Sequence, residues 1–454
     1  MAWAPPDRGV SGALAAARAL LRRGRDEILA DQSARLSAIV RHAARHVPHY
    51  RELFARHGLD PERVRGVEDL AAIPITTRDD VQASSPVAMV AEGIDPARLL
   101  VTRTSGSSGR PIHIRRTWLE ERILVAFRLR ALHDLGLRAT DRRASLVLRT
   151  GDPRDWRLPQ RLLRAAGLYR TLDVNCLLAP VEIGRALAAF RPDVLAGYPD
   201  ILARVAAVAG GARPRLVVPG GEVLTPQMRQ RIGEGFGASV RELYGSHEFK
   251  TIAWECRHTG LLHVTDDSVV LEVLDGTTPV GPGGTGEVVA TALYSYAMPF
   301  VRYRLGDIVT RGPSPCPCGR PCSTIRAVQG RMLDYFPLPG GRLVHPYELP
   351  AVLRDASWIR QYRVIQERPD RIVVYLVPAE RPAAGEVHAL EEALARRLGP
   401  DVHVSVALVD DVPMEPSGKF RVFRSLVHSD YDDTDGDARR AAGPTPPPRA
   451  ADEC

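Results

Sequence analysis

Lysine is nearly missing from this chain. Of 454 residues, 61 are Lys or Arg, yet the only lysines are Lys250 and Lys419. Wherever a positive charge alone suffices, the sequence uses arginine. A lysine kept in such a chain is either a chance survivor of the arginine bias or a place where a compact, single-nitrogen ammonium fits and a planar guanidinium does not. Lys419, in Pro413-Met-Glu-Pro-Ser-Gly-Lys419, is therefore the first residue to watch. Cysteine is also scarce. Six in a chain of this length are too few for a disulfide scaffold, so a cytoplasmic protein is expected. No stretch approaches the ~20 apolar residues needed to cross a bilayer, which excludes a membrane span. The Ala/Leu-rich segment Ala13–Leu29 contains Asp26 and Glu27 and lacks the apolar core of a signal peptide, so it reads as an amphipathic helix. The net charge of +7 is scattered and aromatics make up 6%. No basic run is interleaved with aromatics, so nucleic acid is not an expected partner.

The length suits one large domain with a smaller appendage, and 44% hydrophobic content is enough for sizeable cores. Residues 11–57 read as helices, with Pro48 breaking the pattern. From 118 to 240 strand and helix signals alternate: strands at Ser145–Arg149, Val194–Ala196 and Arg215–Val218, helices at Ile183–Phe190, Asp200–Val208 and Pro226–Gly233. That alternation predicts an α/β sheet. Residues 262–310 turn to short strands with Gly/Pro turns. The expected fold is α/β: a large N-terminal domain of mixed sheets and helices (1–333) and a small mobile α+β C-terminal lobe (334–428). The Asp/Gly/Pro/Ala-rich segment 429–454 is expected to be disordered.

Thr104-Ser105-Gly106-Ser107-Ser108-Gly109-Arg110-Pro111 follows a strand-like run. Its glycines let backbone N–H groups approach a phosphate, and its hydroxyls add donors. A plain solvent loop is the alternative. It is not a Walker A loop, since no Gly-Lys-Ser/Thr follows. The formal G-x-G-x-x-G at Gly281–Gly286 contains Pro282 and reads as a hairpin turn. Further along come Gly220-Gly221-Glu222, Tyr244-Gly245-Ser246-His247-Glu248, Tyr303-Arg-Leu-Gly-Asp307, Gly330-Arg331 and Pro413–Lys419.

This ordered set resembles the adenylate-forming superfamily of acyl- and aryl-CoA synthetases, most nearly its phenylacetate–CoA ligase and coenzyme F390 synthetase-like branch. His46-Val-Pro-His-Tyr-Arg51, Leu70–Ile75 and Cys316-Pro-Cys-Gly-Arg320 add to the likeness, which covers about residues 30 to 428. The resemblance implies an ATP-dependent, AMP-forming enzyme that activates a small-molecule carboxylic acid and then joins it to a thiol, CoA or that of a carrier protein. An adenylyltransferase that stops without CoA and a non-catalytic nucleotide-binding homologue are the alternatives. A homodimer is left open. The loop Thr104–Gly109 would hold the β,γ-phosphates. Glu248 would bind Mg²⁺. Asp307 matches the ribose hydroxyls, and Arg331 adds a donor. Tyr244 stacks on adenine or is a buried strand tyrosine. Gly221 and Glu222, with Gly245, fall near the nucleotide and acid. Lys419 would bridge the carboxylate and α-phosphate as charge builds there. Two departures stand out: Leu333, followed by Asp334, replaces the usual hinge residue, and Arg110 replaces the usual lysine.

The cysteines form a second constellation. Cys256, His258, Cys316 and Cys318 are two short pairs about 58 residues apart, and they are chosen as ligands of a structural Zn²⁺. His263 and Cys322 are the reserve ligands. Free buried thiols are the alternative.

Overall fold

The computed structural model describes residues 23–103, 112–147, 168, 170–208, 211–331, 336–344, 349, 352–353, 356, 358–383, 385–412 and 423–427. The chain divides into a large unit, residues 1–332 with 413–420, and a small unit, residues 333–412 with 421–454.

The large unit opens with α1 (Arg25–His46) and α2 (Pro48–Arg56). α1 buries Ile28, Leu36, Ile39, Val40 and Ala43, an apolar stripe at helical spacing. Val47 is extended, and Pro48 takes the first helical position, where a missing N–H costs nothing. Pro48 thus starts a helix rather than only ending one. After α3 (Arg78–Ala83), strands β1 (Leu100–Arg103) and β2 (His113–Arg116) pair antiparallel, with Arg103 opposite His113. α4 (Trp118–Leu135) follows, with a Thr117/Glu120 capping box at its start and Gly136 at φ 114° closing it.

A parallel sheet comes next. Its described strands are β3 (Arg142–Val147), β4 (Arg170–Asn175), β5 (Val194–Gly197), β6 (Leu216–Pro219) and β7 (Ser239–Val240), ordered β4-β3-β5-β6-β7. Parallel neighbours need crossovers, and α5 (Pro180–Phe190), α6 (Pro199–Ala206) and α7 (Pro226–Phe236) supply them. Leu146, Leu195, Val217, Leu202, Val205 and Phe236 fill the core between sheet and helices. The first strand runs earlier than the expected Ser145–Arg149, and β4 carries no strong signal of its own in the sequence.

The chain then passes into an antiparallel sheet through Arg241 and Glu242. Its strands are β8 (Leu243–Tyr244), β9 (Ala253–Glu255), β10 (Leu262–Val264), β11 (Val269–Asp275), β12 (Thr278–Pro279), β13 (Thr285–Ala292), β14 (Tyr303–Arg311) and β15 (Thr324–Arg331). Their spatial order is β12-β11-β13-β14-β15-β10-β9-β8. The glycine-rich run at Gly281 is the turn between β12 and β13, as expected. At the passage between the sheets, the carboxylate of Glu255 accepts from Arg229 (2.9 Å), Arg241 (3.0 Å) and the Glu242 N–H (2.9 Å). Burial pushes the neighbouring Glu242 carboxyl up to about 7; Arg229 opposes this and the charge of Glu255 adds to it.

The N-terminal helices lie on this second sheet. Gln32 donates to the carbonyls of Asp266 and Val269, and Arg25 pairs with Asp266. The Tyr50 hydroxyl receives the N–H of Val301 at 2.9 Å. Thr76 bridges to β14, taking the N–H of Arg304 and donating to the carbonyl of Arg302. Arg302 sits at φ 45° and is held by Glu272 and the Ile73 carbonyl.

In the small unit, β18 (Ile359–Arg368) and β19 (Arg371–Pro378) form an antiparallel hairpin. β20 (His403–Leu408) joins β19 in parallel, β21 (Phe423–Ser425) joins β18 in parallel, and α8 (Glu386–Leu398) covers the sheet with Leu390, Leu394 and Leu398. A ribbon of β16 (Phe336–Pro337) and β17 (Leu343–Val344) precedes it. The expected helix Pro346–Asp355 lies mostly outside the described residues, as does the segment 429–454. Among the described residues no helix is long and apolar enough to cross a membrane.

Candidate active site

Gly245 makes the turn after β8 possible. A Cβ there would stand 1.9 Å from the Lys250 carbonyl oxygen, so no other residue fits. The turn closes through Lys250 N–H to the Ser246 carbonyl (2.8 Å), Phe249 N–H to Ser246 Oγ (3.2 Å) and Ile252 N–H to the Tyr244 carbonyl (2.9 Å). Phe249 is its anchor, buried against Phe300 and Tyr303. Lys250 adopts φ 63° and sends its ammonium to Glu121 at 2.8 Å. Within this frame Glu248 is buried, at 6% exposure.

Tyr244 is a buried strand residue, and its hydroxyl donates to Asp307 Oδ2 at 2.7 Å. Asp307 lies within β14 and not in a turn. On β15 its register partner is Arg331. The acid and the arginine suggested for the ribose therefore occupy paired positions on neighbouring strands.

Gly220–Glu222 leaves the end of β6. Gly220 donates to the Gly197 carbonyl at 3.1 Å, and a Cβ on it would stand 2.6 Å from the Leu243 carbonyl oxygen. Gly221 has φ 83°, and its missing Cβ would meet the Tyr198 ring at 3.0 Å. Gly197, Tyr198 and Gly220–Glu222 thus gather at the carboxyl ends of parallel strands, where open α/β sheets bind ligands. β1 and β2 close the ends of the loop Thr104–Pro111. That loop, Lys419, Leu333 and Asp334 lie outside the described residues, as does the side chain of Arg331.

The thiols gather elsewhere in the large unit. Cys256, His263, Cys316 and Cys318 bring one donor atom each to within 4.8 Å of one another. Cys256 follows β9, His263 lies in β10, and the other two occupy the loop between β14 and β15. Gly319, at φ 88°, donates to the Cys316 carbonyl at 3.0 Å and forms the knuckle. Cys318 Sγ stands 3.3 Å from His263 Nε2. Burial, with the charge of Arg320, pulls the His263 imidazole down to about 4, so it is neutral and offers a lone pair. Burial pushes the Cys256 thiol up, but hydrogen bonds from Thr259 and the His258 N–H prevail and hold it below its ordinary value. The expected ligand His258 is corrected here. It is exposed at the tip of the β9–β10 turn and gives the cluster only its backbone N–H, 3.5 Å from Cys256 Sγ. Strand alternation turns His263 inward instead. Cys322 packs in an apolar cluster with Trp254 and Leu132 and takes no part.

The model of the CapK C-terminal domain matches residues 338–425. A phenylacetate–coenzyme A ligase of Thermus thermophilus is 26% identical over 87% of this chain and 96% of its own. One of Aromatoleum evansii is 26% identical over 85% and 90%. A crystal structure of 2-hydroxyisobutyryl-CoA ligase in its postadenylation state, with its acyl-AMP, superposes with a TM-score of 0.72 at 21% identity, covering 95% of each chain. Over most of its length the chain is similar to phenylacetate–CoA ligases, and it has the fold of an adenylate-forming CoA ligase.

Within this ligase-like chain, sequence reasoning passed over Arg116 and Glu121. Arg116 ends β2, is 2% exposed, and donates through Nη2 to the carbonyls of His247 (2.7 Å) and Glu248 (2.6 Å). Its one visible signal was position: it is the last strand residue before the Thr117 cap, five residues after the phosphate-loop segment.

Proposed function

We propose that the protein is an ATP-dependent, AMP-forming acid–thiol ligase with CoA as the thiol. A carboxylate oxygen of the acid attacks the α-phosphorus of ATP and pyrophosphate leaves. The CoA sulfur then attacks the acyl carbonyl and AMP leaves. The observation that carries this reading is the Tyr244–Asp307 hydrogen bond, with Arg331 at the register position opposite Asp307 on β15, in a chain that matches named phenylacetate–CoA ligases over most of its length. Asp307 would hold the ribose and Tyr244 would hold Asp307. Glu248, a buried carboxylate, suits a hard cation shared with phosphate oxygens; bound Mg²⁺ would neutralise phosphate charge there. Lys419 would supply the ammonium between the acid and the α-phosphate. The test is ATP–pyrophosphate exchange across a panel of small aliphatic and aromatic acids, followed by addition of CoA or a carrier protein. Acid-dependent exchange without CoA and thioester with it support the ligase. Exchange with no thioester to either acceptor would leave an adenylyltransferase. No exchange with any acid would remove the enzyme reading.

We also propose that Cys256, His263, Cys316 and Cys318 hold a structural Zn²⁺. Three thiols and a neutral imidazole form a full tetrahedral set, and Zn–S bonds of about 2.3 Å demand close donors such as these. The ion would tie the β9–β10 hairpin to the loop before β15.

A further inference from the structure

We infer that Arg116 is a positioning residue for Glu248, and that it couples the strand leaving the phosphate loop to the carboxylate that holds the nucleotide's metal. The inference rests on the reading of Glu248 given above. Burying a guanidinium is costly, and apolar side chains of similar volume would usually serve stability as well or better. Here Arg116 is 2% exposed, and one nitrogen serves two consecutive carbonyls, those of His247 and Glu248. Its Nε and Nη1 have no hydrogen-bond partner among the described residues. Its nearest counter-charge is Glu121 Oε2 at 3.8 Å. Stability alone therefore gives a poor account of this residue.

The other end of the turn is fixed by the same acid. Glu121 Oε1 holds the Lys250 ammonium at 2.8 Å, and Lys250 carries the left-handed φ that closes the turn. Arg116 and Lys250 thus grip the backbone on the two sides of Glu248, and Glu121 on α4 faces both. Arg116 also ends β2, whose other end follows directly on Thr104–Pro111. The chain that leaves the phosphate loop is the chain that sets the height of Glu248. Substituting Lys keeps the charge but loses the rigid guanidinium plane that holds Nη2 against both carbonyls.

The test compares ATP binding to the full chain by calorimetry, with excess Mg²⁺ and with EDTA, for wild type, Arg116→Lys, Glu248→Gln and the double variant. Arg116→Lys is expected to cut the Mg²⁺-dependent gain in ATP affinity about tenfold, while metal-free ATP binds within about twofold of wild type. In the Glu248→Gln background the Arg116 substitution should add nothing further to that gain, since both act at one point. Equal weakening with and without Mg²⁺, or additive losses, would overturn the inference. A Mg²⁺ gain that Glu248→Gln removes and Arg116→Lys leaves intact would overturn it while sparing the Glu248 reading. A wild-type ATP affinity indifferent to Mg²⁺ would overturn both. Should Arg116→Lys not fold, Glu121→Gln on the helix surface carries the test, with a loss of about threefold in the same Mg²⁺-dependent gain.

Discussion

The hydroxyl of Tyr244 and the carboxylate of Asp307 meet at 2.7 Å across 63 residues of chain, both buried. The bond joins the outermost strand of the antiparallel sheet, β8, to β14. It aims the carboxylate, so losing the hydroxyl should affect nucleotide binding more than chemistry. Tyr244→Phe is expected to raise the KM for ATP about five- to tenfold, the value of one charge-assisted hydrogen bond, with kcat within about twofold. ATP titration of pyrophosphate exchange measures this. An unchanged KM would detach Tyr244 from the site.

Lys419 gives a prediction about charge shape. Lys419→Ala should lower adenylate formation by ~10²-fold or more with ATP still bound. Lys419→Arg should recover little of that loss, because a planar fork misfits a point-charge site. Full activity in the arginine variant would remove the significance of the scarce lysines.

The thiol cluster predicts about one Zn per purified chain, with Zn–S distances near 2.3 Å by X-ray absorption. His263→Ala and Cys256→Ser should lose the metal and lower the melting temperature, while His258→Ala should keep both. Zinc well below one per chain after chelator-free, reducing purification would make these thiols ordinary buried residues. Loss of metal in His258→Ala would reverse the choice of histidine.

Glu242 predicts a pH dependence of stability. Its carboxyl titrates at about 7 in the folded chain, above the ordinary 4.5. Between those values the folded state binds more protons than the unfolded one. Stability therefore falls as pH rises from about 4.5 to 7, by about 3 kcal/mol at most, and then levels off with respect to this group. Glu242→Gln should flatten that limb and raise the melting temperature at pH 8 relative to wild type. Unfolding followed at several pH values decides it, and a variant that tracks the wild-type slope would rule Glu242 out as its source.

The motifs were legible wherever backbone chemistry demands a particular residue. Gly245, Gly221 and the hairpin at Gly281 are forced by close approach or by φ, and each announces itself in sequence. The alternating helices and strands of 180–236 were legible because parallel strands require crossovers. The rest depends on contacts between distant residues. Nothing local to His258 or His263 says which one faces Cys316; the pleat of β10 decides. Nothing local to Arg116 shows that it reaches a loop 131 residues away. β4 stayed hidden because its mix of Arg, Thr, Asp and Asn lacks an apolar run.

The clamps between the N-terminal segment and the antiparallel sheet region have a consequence for how the protein is made. Arg25 to Asp266, Tyr50 to Val301 and Thr76 to Val301 join residues separated by 241, 251 and 225 positions. At ribosomal speeds of roughly 5–20 residues per second, the first two helices wait on the order of ten to fifty seconds for their partners to emerge. During that interval the stripe of Leu36, Ile39, Val40 and Ala43 has no sheet to cover. The strand bearing Asp307 is then seated by the oldest part of the chain, so the proposed nucleotide site is completed from both ends of the large unit at once.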